Sequence, residues 1–210
     1  MKMKLMFACL VAFGLTACEK DPDMNQLDAD FVVYTDHASN VDFGTYATYF
    51  IPDSILNAGD VKATYWDDEN ALAIIHAVEK QMELKGYVRT DKKEDADLGL
   101  QLSYLAQANQ IVTGGYADYS FGWWNPGFWG SGWGGWYYPY PVVYTFNTNA
   151  LIIEMVDISQ KEIEENNLKI PVIWYAVASG FQYGNGRINM RLLIDGVNQA
   201  FRQADYITRN

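Results

Sequence analysis

Residues 98–104 read LGLQLSY, and their apolar side chains occupy every second position. This alternation is typical of a β-strand with one buried face, and we leave its end open as far as Val112. Further strands are predicted where β-branched and aromatic residues cluster, at 31–35, 46–51, 87–89, 142–158 and 171–181. Because turns and a charged hairpin at 159–169 join consecutive strands, we expect a largely antiparallel sheet.

Two helices are predicted to cover one face of this sheet. Asp67, Asp68 and Glu69 supply a cap and negative charge, which a helix N-terminus favours, and Gly86 supplies a C-terminal stop. Apolar residues at helical spacing mark the buried faces: Ala71, Ile75, Val78 and Met82 in the first helix, and Leu193, Val197, Ala200 or Phe201, and Ala204 in the second. The predicted fold class is therefore α+β, with a long insert between two strands of the sheet.

The composition fits one ordinary globular domain and excludes several classes of protein. Half of the 210 residues are hydrophobic and 15% are aromatic, which excludes a coiled coil, a collagen-like chain and a disordered tail. The net charge of −11 argues against a nucleic-acid partner, because phosphate binding needs clustered Lys and Arg. Both cysteines lie in the first 18 residues, so a disulfide framework is not expected.

The N-terminal segment has the features of a signal peptide. Lys2 and Lys4 precede an uncharged run at 5–15, which is too short to span a hydrocarbon core of about 30 Å as a lasting helix. The run ends LTAC at 15–18, which resembles the lipobox of bacterial lipoproteins, where the cysteine is acylated and becomes the first residue after cleavage. We predict a signal peptide at 1–17 and lipidation of Cys18; the alternatives are a generic secretory signal or a short buried helix.

The residues after Cys18 predict how the domain is held. Residues 18–29 form a polar, proline-containing tether, and a single domain follows at 30–210. Several acyl chains anchor a protein stably, so the lipid would serve as the link to the membrane. The sequence EKDPDMNQ at 19–26 is also similar to the acidic, lysine-containing export tag of some surface-displayed Gram-negative lipoproteins. We expect an outer-membrane location, with the cell surface favoured over the periplasmic face.

Short motifs follow one another along nearly the whole mature chain. They are DF at 42–43, TYATY at 45–49, KGY at 85–87, DADL at 95–98, ALIIEMVD at 150–157 and VIW at 172–174. This series resembles the lipoproteins of domain-of-unknown-function family 4136, although the stretch at 161–168 is an insertion relative to that pattern. The resemblance implies an envelope lipoprotein with an α+β fold and no assigned activity, so it supplies no catalytic residues.

One segment is unusual in composition. Residues Gly114–Pro141, which we call the aromatic ribbon, contain twelve aromatic residues and eight glycines, and Asp118 is their only charge. A loop this long in a compact domain is usually functional or disordered. Each Trp or Tyr can bury roughly 150–250 Å², and glycine gives the backbone freedom. The ribbon is therefore predicted to be an adaptable set of large, uncharged rings.

Four interpretations of the aromatic ribbon remain open. It covers the open face of its own sheet, forms a protein interface, stacks on glycans, or inserts into the membrane interface. Non-catalytic binding of a protein partner is the preferred function, and a glycan-binding or glycan-degrading lipoprotein is the alternative. Asp118 and Asn125 offer few polar groups for a sugar, which ranks glycan below protein. The candidate binding residues are Trp123, Trp124, Trp129, Trp133, Trp136, Tyr137 and Tyr138.

No catalytic residue, metal site or cofactor is predicted. His37 and His76 are the only imidazoles, and no unmodified cysteine remains after cleavage to complete a metal site. The sequence lacks the Gly-x-Ser-x-Gly elbow of many nucleophilic hydrolases, and the ribbon lacks the lysine of a phosphate-binding loop. A glycosidase needs only two suitably spaced carboxylates, so the acidic residues at 36–69 keep the glycan-degrading alternative open.

Overall fold

The protein's structure, a computed structural model, describes residues 31–58, 64–105, 111–114, 129, 133, 136–145, 149–164, 167–181 and 186–209. Two α-helices occur in these residues, α1 (Glu69–Leu84) and α2 (Gly186–Gln203). The strands are β1 (Val32–His37), β2 (Thr48–Phe50), β3 (Ile55–Ala58), β4 (Thr64–Trp66), β5 (Val88–Arg89), β6 (Leu98–Leu105), β7 (Ile111–Gly114), β8 (Trp136–Tyr137), β9 (Val142–Thr145), β10 (Asn149–Asp157), β11 (Glu162–Glu164) and β12 (Asn167–Phe181).

Most of the strands form one large mixed sheet. Its main path runs β1-β12-β10-β6-β2-β5, and β3, β4, β8 and β11 pair beside that path. The centre is antiparallel, since β12 pairs with β1 and β10, and β10 pairs with β6. Parallel pairs join β2 to β5 and β6, β3 to β6, and β8 to β12. The prediction of a mostly antiparallel sheet with helices is thus confirmed, whereas the parallel pairs were not expected.

Both helices pack on one face of the sheet, as predicted. Asp68 begins α1, because its carboxylate accepts hydrogen bonds from the backbone N–H groups of Asn70 and Ala71 at 2.9 and 3.1 Å. The predicted apolar residues of α1 and α2 are buried in one core with Leu151 and Ile153 of β10. Within the described part of the chain, neither helix combines the length and the apolar character needed to cross a membrane.

The other face of the sheet is covered as well. Leu100 and Gln101 point to opposite faces of β6, yet both are 0% exposed. The second layer comes from the aromatic ribbon, whose Trp129 and Trp136 are buried in a separate apolar cluster on this face. The prediction that residues 98–104 form a half-buried strand, in a sheet covered on one face, was therefore wrong. Gln101, whose polarity suggested contact with water, instead accepts a hydrogen bond from the Trp129 indole.

Three of the predicted strand limits differ from the structure. The run at 142–158 contains two strands in different sheets, since β9 pairs with β7 and β10 lies at the centre of the main sheet. For the same reason the strand at 98–104 does not continue to Val112, which belongs to β7. The strand expected at 171–181 begins earlier, at Asn167, because β11 and β12 form a hairpin with Glu162 opposite Lys169. Hydrophobicity alone does not mark where a continuous apolar run changes partners.

Asp97, from the DADL motif, ties two segments of the sheet together. Its Oδ2 accepts hydrogen bonds from the backbone N–H groups of Ala47 and Thr48 at 2.8 and 2.9 Å, and from Thr48 Oγ1 at 3.1 Å. Burial opposes ionisation of this carboxyl, but these hydrogen bonds outweigh burial and lower the pKa of Asp97 below its ordinary value. The motif residue therefore has a structural role at the entry to β2.

Replacing Asp97 by alanine is expected to lower the free energy of unfolding by about 1–3 kcal/mol at pH 7, because the N–H groups of Ala47 and Thr48 lose their acceptor. A lowered carboxyl pKa stabilises the fold above the ordinary pKa, and this contribution disappears as the pH falls. Urea unfolding at pH 7 and pH 3 should therefore show a smaller difference from wild type at pH 3. Asp91→Ala, at an exposed position, is the control; an equal loss in both variants would contradict the assignment.

Asp157, from the ALIIEMVD motif, makes a second structural cluster at the end of β10. Its Oδ2 accepts a hydrogen bond from the Tyr46 hydroxyl at 2.5 Å, and its Oδ1 accepts from Ser159 Oγ at 2.5 Å and from the Gln160 N–H at 3.1 Å. Asp157 is 0% exposed. The burial of its carboxylate is thus compensated by donors from Tyr46, which is distant in sequence, and from Ser159 and Gln160, which directly follow β10. This explains the motif without assigning it a catalytic role.

Candidate functional site

The structure describes five of the seven candidate binding residues. Four of the side chains are buried, between 3% and 9% exposed: Trp129, Trp133, Trp136 and Tyr138. Tyr137 is half-buried. Trp123, Trp124 and the lipidation candidate Cys18 lie outside the described residues. The buried group covers the sheet, which is the first of the four interpretations for this part of the ribbon.

The aromatic ribbon leaves and rejoins the same short ladder. Gly114, the last residue of β7, pairs with Val142, the first residue of β9. Between these points, β8 pairs in parallel with β12, with Trp136 opposite Ile170. The ribbon is therefore paired with the main sheet at Trp136 and Tyr137, and its first residue is paired with the residue that follows its last one.

Trp129 makes the closest contacts between the ribbon and the sheet. Its indole Nε1 donates a hydrogen bond to Gln101 Oε1 at 3.0 Å. Its ring centroid lies 5.3 Å from that of Phe50 and 5.0 Å from that of Trp136. The indole reaches this depth because β6 has a glycine at Gly99, where an added Cβ would lie 2.8 Å from Trp129 Cη2. A side chain at position 99 would therefore displace the ring.

Gly99→Ala is expected to lower the free energy of unfolding by about 1–3 kcal/mol, because the new methyl group also meets Val156 Cγ2 at 2.9 Å. We expect part of this loss to be recovered in the background of Trp129→Phe, whose shorter ring lacks the clashing atom. Urea unfolding of the two single variants and the double variant measures this coupling. Additive losses would mean that the indole does not lie over Gly99.

Two lysines hold Trp133 and its neighbour from outside. The ammonium nitrogens of Lys93 and Lys161 lie 4.9 and 5.6 Å from the centroid of a Trp133 ring. Lys93 also donates a hydrogen bond to the backbone carbonyl of Trp129. In these cation–π contacts the two ammonium groups help to hold the ribbon in place, and neither lysine is fully buried.

A row of polar side chains crosses the centre of the sheet beneath the ribbon. Glu154 of β10 lies directly opposite Gln101 of β6 on one side and Tyr175 of β12 on the other. The Tyr138 hydroxyl, from the ribbon, donates a hydrogen bond to Glu154 Oε1. Glu154 Oε2 is buried and has no hydrogen-bond partner among the described residues. The row therefore contains a carboxyl group, that of Glu154, which accepts a hydrogen bond from the ribbon.

Burial dominates the electrostatics of this carboxyl. Glu154 is 1% exposed, and burial raises its pKa from 4.5 to about 7, although the hydrogen bond from Tyr138 acts in the opposite direction. Glu154 is thus neutral under mildly acidic conditions and charged under mildly alkaline ones. A buried carboxylate needs a cation or several donors, and the opposing residues Gln101 and Tyr175 supply no positive charge.

Tyrosine rings enclose the other side of Glu154. The rings of Tyr140 and Tyr175 stack with centroids 6.2 Å apart, and Tyr138 meets Tyr175 edge to face at 5.7 Å. Burial raises the pKa of Tyr140 and of Tyr175 well above the ordinary value, so both phenols stay neutral. Tyr34, which is 48% exposed, extends the cluster to the edge of the sheet, with its ring 6.0 Å from that of Tyr175.

The two histidines are placed in separate contacts. His37 stacks on Tyr206 with ring centroids 4.0 Å apart, and His76 Nε2 lies 3.8 Å from Glu79 Oε2 on the surface of α1. In the part of the chain that the structure describes, no group of three His, Cys, Asp or Glu residues has the arrangement of a metal site. What the described residues bring together is a buried carboxyl under an aromatic cover.

Sequence reasoning missed Glu154 and Gln101 as parts of this site. Glu154 stands in an otherwise apolar run, LIIEMV at 151–156, and Gln101 stands in the alternating run at 98–104. A charged residue inside a run typical of a buried strand is the signal that identifies such a position. The pairing of the two residues depends on the register between β6 and β10, which the sequence does not display.

Comparisons with known proteins agree on a family. The model of a domain of unknown function (DUF4136) matches residues 33–203. The chain is similar to the crystal structure of a DUF4136 family protein from Bacteroides thetaiotaomicron VPI-5482, with 37% identity and a TM-score of 0.71 over 86% of this chain and 99% of that chain. A comparison with curated proteins gave no match.

Two further solved structures are much less similar. One is a PDZ domain protein from Parabacteroides distasonis ATCC 8503, with 16% identity and a TM-score of 0.39 over 82% of this chain and 35% of that chain. The other is the PelC dodecamer of Paraburkholderia phytofirmans, with 13% identity and a TM-score of 0.37 over 86% of this chain and 99% of that chain. The family match spans most of the chain, and the chain belongs to the DUF4136 family, whose domain has no known function.

Proposed function

We propose that this protein is a lipid-anchored protein of the bacterial outer membrane whose folded domain is a non-catalytic binding module. The anchor is Cys18, behind the signal peptide at 1–17, and the tether at 18–29 holds the domain away from the bilayer. The proposed location is the cell surface rather than the periplasmic face.

The observation that carries the binding role is the way in which the aromatic ribbon is attached. Gly114 pairs with Val142, next to the end of the ribbon, and the ribbon side chains Trp129, Trp133, Trp136 and Tyr138 pack on the sheet. The rings buried there are unavailable for stacking on a ligand. The connection at 115–128, between these attachment points, carries Trp123 and Trp124, which we assign to a protein partner because Trp and Tyr dominate binding hot spots.

The binding role is tested by replacing both tryptophans of the connection. Lipidated wild-type protein, treated with a short amine-reactive cross-linker in intact cells, should give a discrete adduct with an envelope protein. We expect Trp123→Ala/Trp124→Ala to lose the adduct and to unfold at the wild-type urea concentration. Leu84→Ala, at a side chain 70% exposed on α1, should keep the adduct. An adduct that survives the double substitution, or the absence of any adduct in wild type, would contradict the assignment.

The anchor is tested by metabolic labelling with a clickable fatty acid. We expect wild type to be labelled and to sediment with membranes, and Cys18→Ala to be unlabelled and absent from the membrane fraction. Cys9→Ala is the matched control, because Cys9 lies in the signal peptide and its loss should leave labelling intact. Digestion of intact cells with an added protease should remove a surface-displayed domain and spare a periplasmic one. Labelling of Cys18→Ala would contradict the proposed anchor.

A further inference from the structure

We propose that Glu154 is a proton-operated latch, which holds the Trp136–Tyr140 part of the aromatic ribbon on the sheet when its carboxyl is neutral and releases it when the carboxyl is ionised. This part of the ribbon, with Tyr138 in its middle, is the latched segment. The inference goes beyond the proposed binding role and holds whether or not the ribbon has a partner.

The described neighbours of Glu154 supply no positive charge. Gln101 faces it from β6 and Tyr175 from β12, and both are neutral. From the ribbon, Tyr138 donates a hydrogen bond, and the carboxylate of Glu154 is among the charges that raise the pKa of Tyr140. The remaining charge that acts on these tyrosines is the carboxylate of Asp36 on β1, which has the wrong sign. Ionised Glu154 therefore gains most by contact with water.

Water reaches Glu154 most easily from the ribbon side. β10 pairs with β6 and β12 along nearly its whole length. The core that α1 and α2 form with the sheet covers the opposite face. The latched segment is held by the two-residue ladder of β8 with β12 and by aromatic contacts. The Tyr140 hydroxyl has no hydrogen-bond partner among the described residues. Moving the Tyr140 side chain away from the sheet therefore breaks no hydrogen bond described here. A segment whose strand has a ladder of two residues is of the kind that opens locally.

The Glu154 carboxyl changes its charge near neutral pH, and we expect the latch to open and close in that range. Burial raises the pKa of the Glu154 carboxyl to about 7, so the neutral form predominates at pH 5.5 and the charged form at pH 8.5. On ionisation the proton passes to solvent, and the carboxylate exchanges its described donor, Tyr138, for water. Trp136 and Tyr138 then leave the sheet together.

Amide hydrogen exchange of the full chain, read by mass spectrometry at pH 5.5, 7 and 8.5 and corrected for intrinsic rates, tests the latch. In wild type we expect peptides covering 136–142 to lose protection by about tenfold or more between pH 5.5 and 8.5, while β10 and α1 stay protected. Glu154→Gln, which remains neutral, should keep the 136–142 protection at every pH. Glu94→Gln, at an exposed position, should behave as wild type.

Tyr138→Phe separates the hydrogen bond from the charge. It should reduce the protection of 136–142 at pH 5.5 and retain the pH dependence, because Glu154 still ionises in that variant. Three results would overturn the latch: pH-independent protection in wild type, the wild-type pH dependence in Glu154→Gln, or simultaneous loss of protection in β10 and the ribbon, which would indicate global unfolding.

Discussion

Trp129→Ala is expected to lower the free energy of unfolding by about 3–5 kcal/mol, the range found for truncation of large buried aromatic residues. The Trp129 side chain is 3% exposed and contacts Phe50 and Trp136. Its loss would leave a cavity over Gly99 and remove the hydrogen-bond donor of Gln101. A residue of the aromatic ribbon would thus prove as important to stability as a large buried residue between the sheet and the two helices.

The measurement is urea unfolding followed by far-UV circular dichroism, because the substitution itself changes tryptophan fluorescence. The control is Leu84→Ala, which removes a side chain that is 70% exposed and should cost far less. A variant of Trp129 as stable as wild type would show that the ribbon is an appendage and that the sheet does not need it as a cover.

Glu154→Gln is expected to change the pH dependence of stability. At pH 4.5 and below, wild type and variant should differ little, because Glu154 is protonated in both the folded and the unfolded chain. Between pH 4.5 and 7 the unfolded chain ionises while the folded chain keeps its proton, so the folded state of wild type loses stability as the pH rises. At pH 8 the variant should be more stable relative to wild type by about 3 kcal/mol, from the shift of the pKa to about 7.

Urea unfolding at a series of pH values from 4 to 8 measures this difference. Glu94→Gln, an exposed carboxyl, controls for the loss of one negative charge and should show no such trend. The contribution of Asp97 has the opposite sign and disappears on the acid side, as its pKa is lowered. A difference between wild type and Glu154→Gln that is constant across the series would contradict a buried, neutral Glu154.

The elements with strong periodicity could be predicted from the sequence. In α1, Asp68 marks the start, and Ala71, Ile75 and Val78 mark the buried face, as the structure has them. These features are local, because a cap and a helical stripe depend on residues within a few turns. The antiparallel pairing of β10 with β12 was also predictable, since the charged hairpin at 159–169 lies between them.

The features that depend on distant partners could not be predicted. Gln101 alternates with leucines as a solvent-facing residue would, yet an indole from the ribbon covers it. The parallel pairing of Thr48 with Val88 and the separation of β9 from β10 follow from long-range contacts that leave no periodic signal. The same holds for the site, because the sequence identified the aromatic ribbon but not Glu154, the group that its rings enclose.

The most direct test of the packed ribbon is a nuclear Overhauser effect between the Trp129 indole and the Gly99 Hα protons, measured by NMR on the selectively labelled full chain at pH 5.5. With the indole Cη2 against Gly99, the aromatic proton at that carbon should give a strong cross-peak to the Hα proton that lies in the Cβ direction. An assigned Trp129 ring without any cross-peak to Gly99 would contradict a sheet closed on its second face by the aromatic ribbon.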